Sequence, residues 1–134
     1  MMHRGSGAIS PELTEQVQRV VRVLRDHIFV GDEKRIQGRI ETIFVEAGLG
    51  FEREFQLCER DRPDFFVGGR IVVEVKLKTP RSRVLRQLGR YAEHEKVEAI
   101  VLASPSFTTL QGMRLSIHGV PVYPAILHGA GLTI

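Results

Sequence analysis

Between Arg62 and Lys78 the chain reads RPDFFVGGRIVVEVKLK. Two apolar, β-branched and aromatic runs flank Gly68-Gly69, the pattern of a β-hairpin. Successive side chains of a strand face opposite sides. Ile71, Val73, Val75 and Leu77 therefore share a wholly apolar face, and Val72, Glu74, Lys76 and Lys78 share the other. Glu74 and Lys76 become neighbours, about 7 Å apart along the strand. Charges in so apolar a segment are costly unless each is compensated. Loop length decides whether Asp64 joins them. A two-residue turn at Gly68-Gly69 sets Asp64 opposite Val73, on the wrong face. A three-residue loop, Gly68 to Arg70, sets it opposite Glu74, and glycines that tolerate positive φ permit that loop. A common function for the three charges thus requires the longer loop or a bulge.

Two carboxylates held close raise each other's pKa, and a divalent cation relieves the repulsion. Asp64 and Glu74 offer hard oxygen ligands and the Val75 carbonyl can add a third, a set suited to Mg²⁺ or Mn²⁺. Such an ion polarises phosphoryl oxygens and acidifies bound water, and Lys76 stands where it can orient that water. The alternative for the same residues is an edge strand with an alternating polar face.

The rest of the chain predicts the elements around this hairpin. Ser10-Pro11 opens a helix on which Leu13, Val17, Val20, Val21, Leu24 and Ile28 recur at helical spacing. Asp32 caps a second, with Ile36, Ile40, Ile43, Phe44 and Ala47 as its stripe and Gly48 and Gly50 at its end. Phe51 to Leu57 alternates as a strand, followed by Pro63–Val67 and Ile71–Leu77. Thr79-Pro80 repeats the cap-then-proline device before a helix from about Arg81 to Glu95. Glu98 to Ala103 reads as a buried strand. Arg114 to Leu127 reads as a small hairpin about His118-Gly119, its second strand weakened by two prolines. The expected architecture is one α/β domain over residues 11–134, a mixed sheet with helices on both faces, preceded by a mobile arm over residues 1–10.

Composition narrows the partners. With 134 residues, 43% of them hydrophobic, the chain fits one core. No apolar run approaches the ~20 residues of a membrane span, and residues 1–10 lack the apolar core of a secretory signal. Cys58 is the single cysteine, which excludes an internal disulfide and suits the cytoplasm; its simplest reading is a small buried hydrophobe. No Cys or His group shows zinc-like spacing. The net charge of +3 is modest, but Lys76 to Arg90, KLKTPRSRVLRQLGR, holds six basic residues and no acid, a surface for a polyanion or a solvated helix face.

Pro63-Asp64, nine residues, then Glu74-Val75-Lys76, within an αβββαβ order, resembles the motif of the PD-(D/E)XK nuclease superfamily, over roughly Asp32 to Ser104. The resemblance implies a restriction-endonuclease-like core, with the first helix and the terminal hairpin as additions. It implies Asp64 and Glu74 as metal ligands with Val75, and Lys76 as the group assisting the attacking water. It also implies a helix acid. Glu33 falls within the arc of Ile36, Ile40 and Phe44 and is chosen over Glu41, although acids are ordinary in a first helical turn. Gln87 to Tyr91, QLGRY, resembles the QxxxY element of RecB-like members, which helps to place a nucleic-acid backbone. Lys78, Arg81, Arg83 and Arg86 then lie along the path of the phosphates. The implied function is a Mg²⁺- or Mn²⁺-dependent deoxyribonuclease, structure- or end-directed, for repair, recombination or phage DNA processing. A homodimer, or a protein partner supplying specificity, would complete it; the apolar Val120, Val122 and Ile126 offer a surface for a dimer, though core packing is the safer reading of them. A non-catalytic nucleic-acid-binding module and a partner-dependent subunit are the alternatives.

Overall fold

Ser10 does what its place in the sequence predicts. In the computed structural model, which describes residues 9–105 and 116–130, its side-chain oxygen accepts the Leu13 N–H at 3.1 Å. Helix α1 runs from Pro11 to Arg25 and buries Leu13, Val17, Val20 and Leu24. It ends a turn short of Ile28, which is 66% exposed, and the neighbouring Phe29 is buried instead. Ile28 forms a parallel bridge with His128. The arm expected over residues 1–10 lies outside the described residues apart from Ile9 and Ser10, as do residues 114 and 115 of the terminal hairpin.

Asp32 caps α2, Glu33–Glu46, by accepting the Arg35 N–H at 2.9 Å. Ile36, Ile40, Ile43 and Phe44 are its buried stripe. Gly48, at φ +72°, ends it. The next N–H, from Leu49, returns to the Phe44 carbonyl at 3.0 Å, closing the last turn and bringing Leu49 against the core.

Among the described residues six strands follow: β1 Phe51–Arg53, β2 Phe65–Val67, β3 Ile71–Val75, β4 Ala99–Ser104, β5 Ser116–Ile117 and β6 Val120–Ile126. They form one mixed sheet in the order β1-β2-β3-β4-β6-β5. The first three pair antiparallel, β3, β4 and β6 are parallel, and β5 is antiparallel to β6. The parallel step from β3 to β4 needs a crossover, which α3 (Arg81–Ala92) supplies. Alternation along the strands divides the core as the sequence predicts. Ile71, Val73 and Val75 pack with α1 and α2; Phe66 and Val72 pack with Val84, Leu88 and Tyr91 of α3. No helix among the described residues is long and apolar enough to cross a membrane.

Four expectations change. β1 stops at Arg53, because Glu54 turns to φ +49° and the chain leaves the sheet. Thr79 does not cap α3: Pro80 holds the N-cap position with no side-chain cap, and the helix ends at Ala92. Cys58 is exposed rather than buried. The terminal hairpin is no small addition, since β6 spans seven residues and lies beside β4. β5 pairs only with Val120 and Pro121 of β6, so further along β6 has one partnered edge among the described strands, the setting in which a sheet admits proline. Val120 and Val122 are buried against the α3 side and Ile126 packs beside them. These residues thus pack into the core, the safer of their two readings, rather than offering a surface to a second copy.

Candidate active site

The hairpin adopts the longer of the two loops weighed above. Val67 pairs with Ile71, Phe66 with Val72 and Phe65 with Val73. Gly68 and Gly69 sit at φ +61° and +70°, where an L side chain costs roughly 1–2 kcal/mol. The Arg70 N–H closes the loop on the Val67 carbonyl at 3.1 Å. One step beyond Phe65, Asp64 meets Glu74, and no bulge is needed.

Each acid takes a backbone N–H at or beside the other. Asp64 Oδ2 accepts the Val75 N–H at 2.8 Å, and Glu74 Oε1 accepts the Asp64 N–H at 3.1 Å. Glu74 Oε2 takes an ion pair from Lys76 Nζ at 3.0 Å and a hydrogen bond from the Tyr91 hydroxyl at 3.4 Å. Gln87, one helical turn before Tyr91, donates from Nε2 to that hydroxyl at 2.9 Å. Tyr91 is 1% exposed. Its hydroxyl is turned on Glu74, so it positions that carboxylate instead of facing a nucleic-acid backbone.

Burial dominates the electrostatics. Glu74 is 2% exposed, and desolvation followed by the charge of Asp64 pushes its pKa up to about 7 against the pull of Lys76. Burial likewise lifts Asp64 to about 6; the Val75 N–H, Lys76 and Arg53 pull it down, and Glu33 pushes it up. The Tyr91 hydroxyl is shifted far upward by burial and by the two acids, so it remains a donor.

Glu33 does not lie on the buried stripe. It is exposed at the first position of α2, one turn before the stripe begins at Ile36. Its charge nevertheless acts on Asp64. Glu41 is already matched by Arg53, whose Nη1 donates to Glu41 Oε1 at 2.9 Å while Nη2 donates to Gln37 Oε1 at 3.1 Å. The same guanidinium lies 4.9 Å from the centre of the Phe65 ring, a cation–π contact.

Lys78, Arg81, Arg83 and Arg86 are exposed. A groove of about 550 Å³ opens beside Lys76 and is lined by Thr79, Arg83, Arg86, Gln87 and Arg90. Lys78 and Arg81 lie outside that lining. Arg53 and Arg90 were not singled out in the sequence. Arg90 could have been, since Arg83, Arg86 and Arg90 are spaced three and four apart and share a helix face.

An α/β domain with a carboxylate pair, Glu74 buried and Asp64 half-buried, a lysine on one of the pair and a basic groove alongside is thus defined by its own geometry. Compared with protein-family models, with curated proteins and with solved structures, the chain finds no match.

Proposed function

We propose that this chain is a metal-dependent nuclease that hydrolyses phosphodiester bonds in DNA, directed by DNA structure or ends. One observation carries the reading: the hairpin register sets Asp64 beside Glu74, and Lys76 leads from that pair into a groove lined by Arg83, Arg86 and Arg90. The donor set suits a hard divalent cation. Two carboxylates share one site, and the burial and mutual repulsion that resist their ionisation are what a cation offsets. Asp64 and Glu74 would hold Mg²⁺ or Mn²⁺ with the Val75 carbonyl. When bound, the ion supplies Lewis-acid polarisation and an acidified water.

The chain's own residues prepare the site. Tyr91 and Gln87 hold Glu74 in place, and the Val75 N–H holds Asp64. Lys76 now neutralises Glu74; a cation on that carboxylate would release its ammonium group toward a phosphate or the attacking water. Glu33 adds negative charge from the exposed start of α2. The arginines of the groove give phosphate contacts that are largely blind to sequence.

The test is cleavage of a panel of duplex, single-stranded, flapped and junction DNAs with Mg²⁺ or Mn²⁺, comparing wild type with Glu74→Ala and Lys76→Ala. Metal-dependent products lost in both variants are expected. Equal cutting by all three proteins would remove the site from the chemistry. Binding without cutting in the wild type would favour a non-catalytic module or a subunit that needs a partner.

A further inference from the structure

The loop from Glu54 to Asp64 carries a second convergence of side chains, on the α3 side of the sheet. Cys58, Asp61 and His94 each bring one ligand atom, and the three lie within 4.8 Å of one another. Asp61 Oδ2 stands 3.0 Å from His94 Nε2 and 3.5 Å from Cys58 Sγ. Its other oxygen, Oδ1, accepts from Arg90 Nε at 3.0 Å, and the exposed Arg60 reaches to 4.0 Å. Asp61 is 3% exposed. Burial raises the pKa of this carboxylate, but the bonds to His94, Arg90 and Cys58 together hold it below the ordinary value.

Backbone geometry shapes the group before any ion is considered. The N–H groups of Leu57 and Cys58 both turn onto the Asp61 carbonyl, at 2.9 and 3.4 Å, a tight knuckle with two residues between its candidate ligands. Zinc sites space paired cysteines in the same way; here Asp61 stands where the second cysteine would. The loop is held down by Phe55, stacked 4.9 Å from Phe66, with Lys96 lying 5.5 Å over the Phe55 ring. His94 approaches from just past the end of α3, its N–H fixed on the Tyr91 carbonyl at 3.1 Å.

We propose that Cys58, Asp61 and His94 bind a zinc-class divalent transition metal, with water in the fourth position. Thiolate, imidazole and carboxylate form a donor set suited to Zn²⁺, and one that Mg²⁺ avoids. Tetrahedral bonds of about 2.0–2.3 Å place ligand atoms roughly 3.3–3.8 Å apart. The two contacts of Asp61, 3.0 and 3.5 Å, lie within a few tenths of an ångström of that range. Cys58 and His94, no more than 4.8 Å apart, need close by about 1 Å at most to reach it. Arg90 on Oδ1 leaves Oδ2 for the metal and fixes the carboxylate plane, the role of an outer partner at a metal site. The ion would staple the loop that delivers Asp64 to the end of the helix that delivers Tyr91. This site has its own ligands and stands independently of the nuclease reading.

The test is titration of the metal-stripped full chain with Co²⁺ as a spectroscopic substitute for Zn²⁺. Expected is one thiolate-ligated ion per chain, with d–d bands of tetrahedral strength and a thiolate-to-cobalt charge-transfer band, all displaced by Zn²⁺ and untouched by excess Mg²⁺; Co²⁺ on the oxygen ligands of Asp64 and Glu74 would add no such band. Cys58→Ser, at an exposed position, should remove the charge-transfer band and the rise in melting temperature that Zn²⁺ gives the wild type. His94→Gln should weaken Co²⁺ binding at least about tenfold, with the fold checked by circular dichroism. Glu74→Gln should leave the charge-transfer band unchanged, which separates this site from the paired carboxylates. A folded wild type with no thiolate band would overturn the proposal and leave an ion-pair staple around Asp61. A band that persists undiminished in His94→Gln would also overturn it, as a metal held by the thiol alone.

Discussion

At Glu74 a carboxyl group is buried among three donors and next to a second acid, and the balance has a measurable sign. Below its ordinary pKa of 4.5 the group is protonated in folded and unfolded chains alike. Between there and about 7 the unfolded chain ionises while the folded chain keeps the proton. Metal-free protein should therefore lose stability as pH rises through that window. Asp64, lifted from 3.8 to about 6, acts in the same direction. Glu74→Gln should flatten the profile, as read from denaturant midpoints between pH 4.5 and 7.5. Tyr91→Phe tests the neighbouring contact. It removes the donor to Glu74 and orphans the Gln87 amide, and it should cost about 1 kcal/mol. On the proposed function it should slow cleavage without abolishing it, because Lys76 and the Asp64 N–H still hold Glu74. These roles were only half legible. Glu74 and Lys76 follow from strict alternation, whereas no local pattern turns the Tyr91 hydroxyl onto Glu74.

Among the elements, the β2–β3 hairpin shows where sequence reasoning succeeds. Its loop had two discrete lengths, each with a different partner for Asp64, and the glycines favoured neither. Only the requirement that three charges act together selected the longer one. Gly68→Ala should keep the register and cost roughly 1–2 kcal/mol through its positive φ. Deleting Gly69 should do far more, because a one-residue slip turns Asp64 into the apolar face beneath α2. Urea denaturation of both variants, with cleavage assays alongside, would separate strain from lost register. Elsewhere local signals misled. FEREFQL alternates like a strand, yet Glu54 leaves the sheet, and the freed loop carries Cys58 and Asp61 to His94. No periodicity could announce that meeting, since its partners come from a loop and from a helix end more than thirty residues away. The arc that placed Glu33 on the buried stripe failed for a different reason. A helix begins to bury its face only where something lies opposite, and here that starts at Ile36.

For the whole molecule, the basic groove and the acidic pair lie side by side, a polarity that a net charge of +3 does not reveal. If the groove follows a DNA backbone, affinity should fall log-linearly with salt. Arg83→Gln and Arg86→Gln should each reduce that slope by about one, across unrelated sequences alike. Fluorescence anisotropy at a series of salt concentrations, in Ca²⁺ or without metal to prevent cutting, would measure it. The order of assembly follows from β6. Helix α1 rests on β6 and shares a core with Ala125 and Leu127, while Ile28 is bridged to His128. A nascent chain therefore presents the apolar stripe of Leu13, Val17, Val20 and Leu24 long before the strand that covers it has been made. The hairpin bearing Asp64 and Glu74 can pair early, but the layer behind it closes last. Such distant pairing slows folding, and during synthesis the exposed stripe of α1 is where a chaperone would find its hold.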